Sequence, residues 1–213
     1  MSTTFTLDTA TSRAHPVPEP VRRMTVPAIA ARKGGKPIVM LTAYTARMAQ
    51  IFDRHCDMLL VGDSLGQVIY GLDTTVHVTL EMMCAHGAAV VRGSYRAVVV
   101  VDLPFGSYEA SPQQAFETAA RVMKETGAAA VKLEGGAEVE DSIKRILMAG
   151  IPVMGHLGLT PQSIYKFGTY SVRAKEEEEA QKLREDAKLL EALGCFAIVL
   201  EKIPASLTKT VSE

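Results

Sequence analysis

The chain has 213 residues, 47% of them hydrophobic, which is enough apolar side chain for one sizeable core. Its net charge of −1 supplies no basic footprint, so no nucleic acid and no anionic membrane surface is expected as a partner. Three cysteines (Cys56, Cys84, Cys195) are an odd count without metal-type spacing and read as buried thiols of a reducing compartment rather than a disulfide framework.

Residues 1–23, "MSTTFTLDTATSRAHPVPEPVRR", are polar and contain proline. They lack the apolar stretch of a secretory signal, so they read as a flexible leader and the protein as cytoplasmic. No apolar run approaches the ~20 residues that span a bilayer. Residues 24–213 read as one domain. "TVPAIAARKGG" is a helix with Thr25 as N-cap and Gly34 as stop. "PIVMLTAY" is a first strand, "ARMAQIFDRH" a helix and "DMLLVGD" a second strand. After a long loop, Thr79 caps the helix "LEMMCAHGAAVVRG". "YRAVVVVDLP" is a third strand, rich in β-branched residues. Ser111-Pro112 opens a helix that stops at Gly127. "AAAVKLEGG" is a fourth strand, "EVEDSIKRILMAG" a helix and "IPVMGHLG" a fifth strand. "KEEEEAQKLREDAKLLEALG" is a charged helix, "CFAIVLEKIP" a sixth strand, and "ASLTKTVSE" opens another helix.

These strands are near-continuous apolar runs, as parallel strands covered on both faces require. Successive βα units favour a (β/α)8 TIM barrel with an N-terminal helix over the alternative, an open flavodoxin-like sheet. Eight units take about 250 residues; this chain stops inside its sixth helix and reads as a barrel represented through about six βα units.

In a barrel, chemistry sits where the strands end. Strand two ends at Asp63-Ser64 and strand three at Asp102. Strand four carries Lys132 and Glu134, two apart and so on one face. Strand five ends at His156 and strand six at Glu201. Carboxylates so gathered repel one another unless a cation is present, and Mg²⁺ suits one or two of them plus substrate oxygens. Asp63 and Asp102 come from adjacent strands and could share one ion, Lys132 could balance a negative substrate, and Glu201 could act as a base. Each residue also has a plainer reading: Asp63 as a turn residue, Asp102 as a strand end, Lys132 and Glu134 as an ion pair, His156 as a satisfied core histidine, Glu201 as a partner of Lys202 or Lys132. His86, Met82 and Met83 read as packing or surface, and Glu176 to Glu179 as a solvated helix start.

The blocks "VGDSLGQVIYGLDTTVHVT", "DLPFGSY", "VKLEGG", "GHLGLTPQS" and "LEKIP" resemble the ketopantoate hydroxymethyltransferase family, in family order, over roughly residues 24 to 213. The resemblance implies a (β/α)8 barrel that moves a one-carbon unit from 5,10-methylenetetrahydrofolate to 3-methyl-2-oxobutanoate, giving 2-dehydropantoate for pantothenate synthesis. It also implies Mg²⁺ and a homodecamer. By motif it implies Asp63, Asp102 and Glu134 at the metal, and Asp63, Ser64, Asp102, Lys132 and His156 at the substrate. Glu201 would be the proton acceptor. A seventh and an eighth strand of the family pattern are absent here, so the barrel is expected to be C-terminally incomplete. Two other readings stand beside this one: an inert barrel fragment that assembles with partners, and a Mg²⁺-dependent aldolase or carbon–carbon lyase of the phosphoenolpyruvate-binding type.

Overall fold

Apolar β-branched runs separated by capped helices fold here as a single succession of βα units. The computed structural model describes residues 22–213. The leader read over 1–23 therefore lies outside the described residues up to position 21. Its last residue, Arg23, is anchored: its guanidinium donates to the carbonyls of Ser94 and Ala97.

The elements are α1 (Val26–Ala30), β1 (Met40–Thr42), α2 (Ala46–Phe52), β2 (Met58–Val61), α3 (Leu65–Val68), α4 (Leu80–Gly93), β3 (Val98–Asp102), α5 (Pro112–Thr126), β4 (Ala130–Glu134), α6 (Glu140–Met148), β5 (Val153–Gly158), α7 (Ile164–Phe167), α8 (Glu177–Leu193), β6 (Ala197–Glu201) and α9 (Ala205–Ser212). All five strand pairings are parallel, in the order β1-β2-β3-β4-β5-β6. This is the βα succession of a barrel, curled but with β1 and β6 as its two edges among the described residues. The flavodoxin-like alternative is overturned by that order, because a doubly wound sheet reverses direction after its first strands.

The N-cap signals act as expected, but Gly34, read as the stop of the first helix, lies beyond it: α1 ends at Ala30 with Ala31 as its C-cap. The hydroxyls of Thr25, Thr79 and Ser111 accept from the backbone N–H three residues on. Gly127 ends α5 in the left-handed conformation, at φ 73°. The two four-residue helices, α3 and α7, have no counterpart in the sequence reading, since four residues carry no measurable period.

Alternation along the strands sorts the core into two layers. Leu59, Val61, Val99, Val101, Val131, Leu133 and Leu157 face outward and pack under the helices. Met58, Val98, Val100, Ala130 and Met154 face inward, and Ile29 of α1 closes against them. One step above this apolar layer, on the same inner face, come Asp102, Lys132 and His156, with Glu134 a further step along β4. The three cysteines are free thiols, Cys56 and Cys84 buried and Cys195, read as buried, only partly so; burial pushes each up to about 11. Among the described residues no helix is long and apolar enough to cross a membrane.

Asp53, read as the interior of a helix, is instead the C-cap of α2 and ties the α4–β3 turn together. Its Oδ1 accepts from Ser94 Oγ at 2.6 Å and Ala97 N at 2.8 Å, and its Oδ2 from Tyr95 N at 3.0 Å and Arg96 N at 2.8 Å.

Candidate active site

Register places the site. In the parallel ladder Asp102 stands beside Lys132, Glu134 beside His156, and Glu201 beside Gly158. Asp102, Glu134 and Glu201 end their strands, while Lys132 sits one pleat repeat before Glu134, and His156, read as the end of strand five, sits one before its actual end at Gly158; all lie on inward-facing rows near one rim. Asp63 joins them from the turn after β2. Gly62 makes that turn possible: a Cβ there would lie 2.8 Å from Ser64 Oγ and 3.5 Å from Asp102 Oδ2. At the other flank Gly158 (φ +92°) has the carbonyl oxygen of Glu201 only 2.3 Å from where a Cβ would stand, and Leu159 N donates to that oxygen.

Asp63 sits in the turn after β2, but its side chain does more than cap it. Its side chain is buried, its backbone N–H donates to Asp102 Oδ2 at 3.1 Å, and its Oδ2 accepts from Gln162 Nε2 at 2.8 Å. The Lys132 ammonium lies 2.8 Å from Asp102 Oδ1 with both side chains 4% exposed. That oxygen has a counter-charge but no aligned hydrogen-bond donor. Lys132 thus pairs with Asp102, not with Glu134, because the ladder sets 102 and 132 side by side while 134 lies a full pleat repeat further along. Glu134 pairs with His156 Nδ1 at 3.3 Å, and its Oε2 accepts from Gln162 N at 3.0 Å. Glu201, with its side chain 39% exposed, meets His156 Nε2 at 3.3 Å, an ion-pair distance without hydrogen-bond alignment. It contacts neither Lys202 nor Lys132; Lys202 reaches back instead to the Tyr170 carbonyl. Ser64 Oγ is held by Tyr44 Oη at 2.9 Å.

The charges do not balance. Four carboxylates (Asp63, Asp102, Glu134, Glu201) face two cationic side chains, Lys132 and His156. Burial first, then the Asp102 charge, pushes Asp63 up to about 7. Burial also raises Asp102, against the pull of Lys132. Burial opposes the charge on Lys132, but Asp102, Glu134 and Asp63 outweigh it and hold the ammonium protonated. For His156, burial and Lys132 oppose protonation, while the carboxylates of Glu134 and Glu201 carry the net direction upward. The His156 contact outweighs partial burial at Glu201 and keeps it below the usual carboxylate value, hence ionised. A buried set short of positive charge is what a hard divalent cation relieves.

Among the described residues no three His, Cys, Asp or Glu side chains form a ready-made metal cluster. The carboxylate pair on offer is Asp63 and Asp102: Asp63 Oδ1 is left over once Oδ2 holds Gln162, while Asp102 Oδ2 holds Asp63 N and its Oδ1 faces the Lys132 ammonium. Two carboxylates fit Mg²⁺, which completes its shell with water and substrate. Glu134 has its Oε2 on Gln162 N and its Oε1 at 3.3 Å from His156 Nδ1.

A model of one protein family, described as ketopantoate hydroxymethyltransferase, matches residues 23–213. The chain belongs to this family. The 3-methyl-2-oxobutanoate hydroxymethyltransferase of Sphingopyxis alaskensis is 64% identical over 204 residues, 96% of this chain and 71% of that protein. The protein of the same name from Novosphingobium aromaticivorans is 63% identical over 207 residues, covering 95% and 72%. Among solved structures, a phosphonopyruvate hydrolase complex with oxalate and Mg²⁺ superposes with TM-score 0.63 at 11% identity, over 84% of this chain and 64% of that one. 2,3-Dimethylmalate lyase gives 0.59 at 16%, over the same shares. These two likenesses are of fold alone.

Within the hydroxymethyltransferase site, sequence reasoning missed Gln162, Tyr108 and Tyr44. None sits on a strand: Gln162 follows β5 in a 3-10 turn, Tyr108 lies in the loop after β3, and Tyr44 follows β1. The readable signal was their place inside the loops that leave the strand ends, "DLPFGSY" and "GHLGLTPQS" among them. A cavity of about 350 Å³ adjoins the rim, lined by Tyr108, Glu134, Gln162, Lys166 and Phe167; it flanks the carboxylate row and does not include Asp63, Asp102 or Lys132.

Proposed function

We propose that this chain transfers a hydroxymethyl group from 5,10-methylenetetrahydrofolate to 3-methyl-2-oxobutanoate, giving 2-dehydropantoate for pantothenate synthesis, as a cytoplasmic homo-oligomer of the family's decameric kind. The observation that carries the reading is the convergence of Asp63, Asp102, Lys132, Glu134, His156 and Glu201 on one rim, with more negative charge than their own cations balance.

Asp63 and Asp102 would hold Mg²⁺ through one oxygen each, with Glu134 supporting them through Gln162. When bound, the ion would polarise the keto group of a 2-oxo acid. Lys132, fixed beside Asp102, meets the substrate carboxylate. Ser64 Oγ, oriented by Tyr44, and the His156 imidazole line the same pocket. Glu201 is the most exposed of the four carboxylates and is ionised, so it can take the proton from C3. His156 behind it stabilises its charge before the transfer and fixes its direction. Water releases the one-carbon unit from the folate at the formaldehyde level, breaking both of its bonds to nitrogen and leaving tetrahydrofolate. The enolate so formed adds to that carbonyl, and the resulting alkoxide takes up a proton to give the hydroxymethyl group.

Base catalysis of this kind contributes about 10²- to 10⁴-fold. Glu201→Gln slows exchange of the C3 hydrogen of 3-methyl-2-oxobutanoate with deuterium by about that factor, while oxo-acid affinity in Mg²⁺ stays close to wild type. Wild-type exchange in this variant removes Glu201 from the role. Product formation that does not depend on tetrahydrofolate would favour the lyase chemistry instead.

A further inference from the structure

Gln162 is the most fully committed side chain at the rim. Its Nε2 gives one hydrogen to Asp63 Oδ2 at 2.8 Å and the other to the Leu103 carbonyl at 2.9 Å. The Leu103 carbonyl is an acceptor only, so the amide has one permitted orientation and Oε1 faces the other way. There it accepts from the Tyr108 hydroxyl at 2.6 Å. Tyr108 is 1% exposed, and the same hydroxyl accepts from Glu134 N at 3.2 Å. Tyr108 makes no hydrogen bond to Asp63 or Asp102; its hydroxyl bonds only Gln162 and Glu134.

We propose that Tyr108 is a positioning residue for the metal ligands: its hydroxyl fixes the Gln162 amide, which holds Asp63 Oδ2 and leaves Oδ1 as the single oxygen available to the ion. The inference rests on the assignment of Asp63 as a metal ligand. Without the hydroxyl, Gln162 Oε1 and Glu134 N each lose a buried partner, and both groups shift to recover one. The amide then no longer restrains Asp63. Partners that orient a ligand are worth about 10- to 100-fold in metal affinity.

The test is titration of the full chain with Mn²⁺ alone, followed by the paramagnetic resonance signal of the free ion, so no activity is needed. Tyr108→Phe weakens Mn²⁺ about 10-fold and Gln162→Leu about 10- to 100-fold. The double variant is no weaker than Gln162→Leu, because the tyrosine acts only through the glutamine. Gln162→Asn keeps the amide but cannot span from Tyr108 to Asp63, and matches Gln162→Leu; it supplies the same comparison should the leucine variant fail to fold. Asp63→Asn tests the underlying assignment. If it binds Mn²⁺ like wild type, Asp63 is not a ligand and the proposal falls with that assignment. If Asp63→Asn loses the ion while Tyr108→Phe keeps wild-type affinity, the proposal alone is overturned. It is equally overturned if Tyr108→Phe weakens binding by the same factor with and without Gln162.

Discussion

Lys132→Met isolates the one permanent cation at the rim. Methionine keeps most of the length and apolar volume of the lysine stem, so packing above Ala130 changes little while the charge disappears. What remains is Asp102 with its side chain 4% exposed and its closest counter-charge gone. Breaking a buried pair from one side costs about 3–5 kcal/mol. Burial already biases Asp102 toward its protonated form, so proton uptake relieves part of the penalty and the low end, about 3 kcal/mol, is expected at pH 7. With a urea dependence of about 3 kcal/mol/M, the unfolding midpoint falls by about 1 M. Since Asp63 and Asp102 are both raised in the folded state, that state binds the extra protons. The deficit therefore shrinks as the pH is lowered from neutrality toward the ordinary carboxylate range, and grows as it is raised. Millimolar Mg²⁺ narrows the gap at pH 7 by supplying the missing charge. Urea curves of both proteins at pH 5.5 and 7.5 (roughly spanning the titration of a carboxyl near 7), with and without Mg²⁺, decide the matter. A metal-free midpoint at pH 7.5 indistinguishable from wild type would refute the charge-deficit account.

Asp53→Ala leaves three backbone N–H groups and the Ser94 hydroxyl without their acceptor, and destabilises by about 2–4 kcal/mol in urea unfolding with unchanged slope. Its hydrogen bonds outweigh burial and hold the carboxyl below its ordinary value, so its contribution is complete above about pH 4 and is lost as the pH falls through the lower folded value. The alanine variant accordingly shows a shallower acid transition. Ile29→Ala opens a hole under the inner layer where Met58, Val98 and Met154 meet α1, and costs about 2–4 kcal/mol in the same assay while oxo-acid affinity stays unchanged.

The strands were legible because a parallel strand buried on both faces writes itself as an unbroken apolar run, and five of the six rim residues could be lined up simply by asking where those runs stop; Asp63, in the turn beyond, came with them. Who pairs with whom was not legible. Lys132 and Glu134 are two apart in sequence and invite an ion pair, yet the ladder offers Lys132 a closer partner in Asp102 and gives Glu134 to His156. Glu201 likewise finds His156 rather than a lysine. Gln162 and Asp53 escaped for a related reason: each satisfies groups far along the chain, Asp63 at a separation of 99 residues and Ala97 at 44, and nothing local in the sequence records such a bond.

The layer directly under the rim is wholly apolar: Val100 lies two residues before Asp102, Ala130 two before Lys132, and Met154 two before His156. Solvent cannot step in from below to replace a lost partner, so each charged group owes its tolerability to its immediate neighbours. Drift at these positions therefore tends to be concerted. A lineage that exchanges the residue at 102 gains by exchanging the one at 132 with it, since an intermediate carrying only one of the two changes pays whatever part of the electrostatic penalty proton uptake does not relieve.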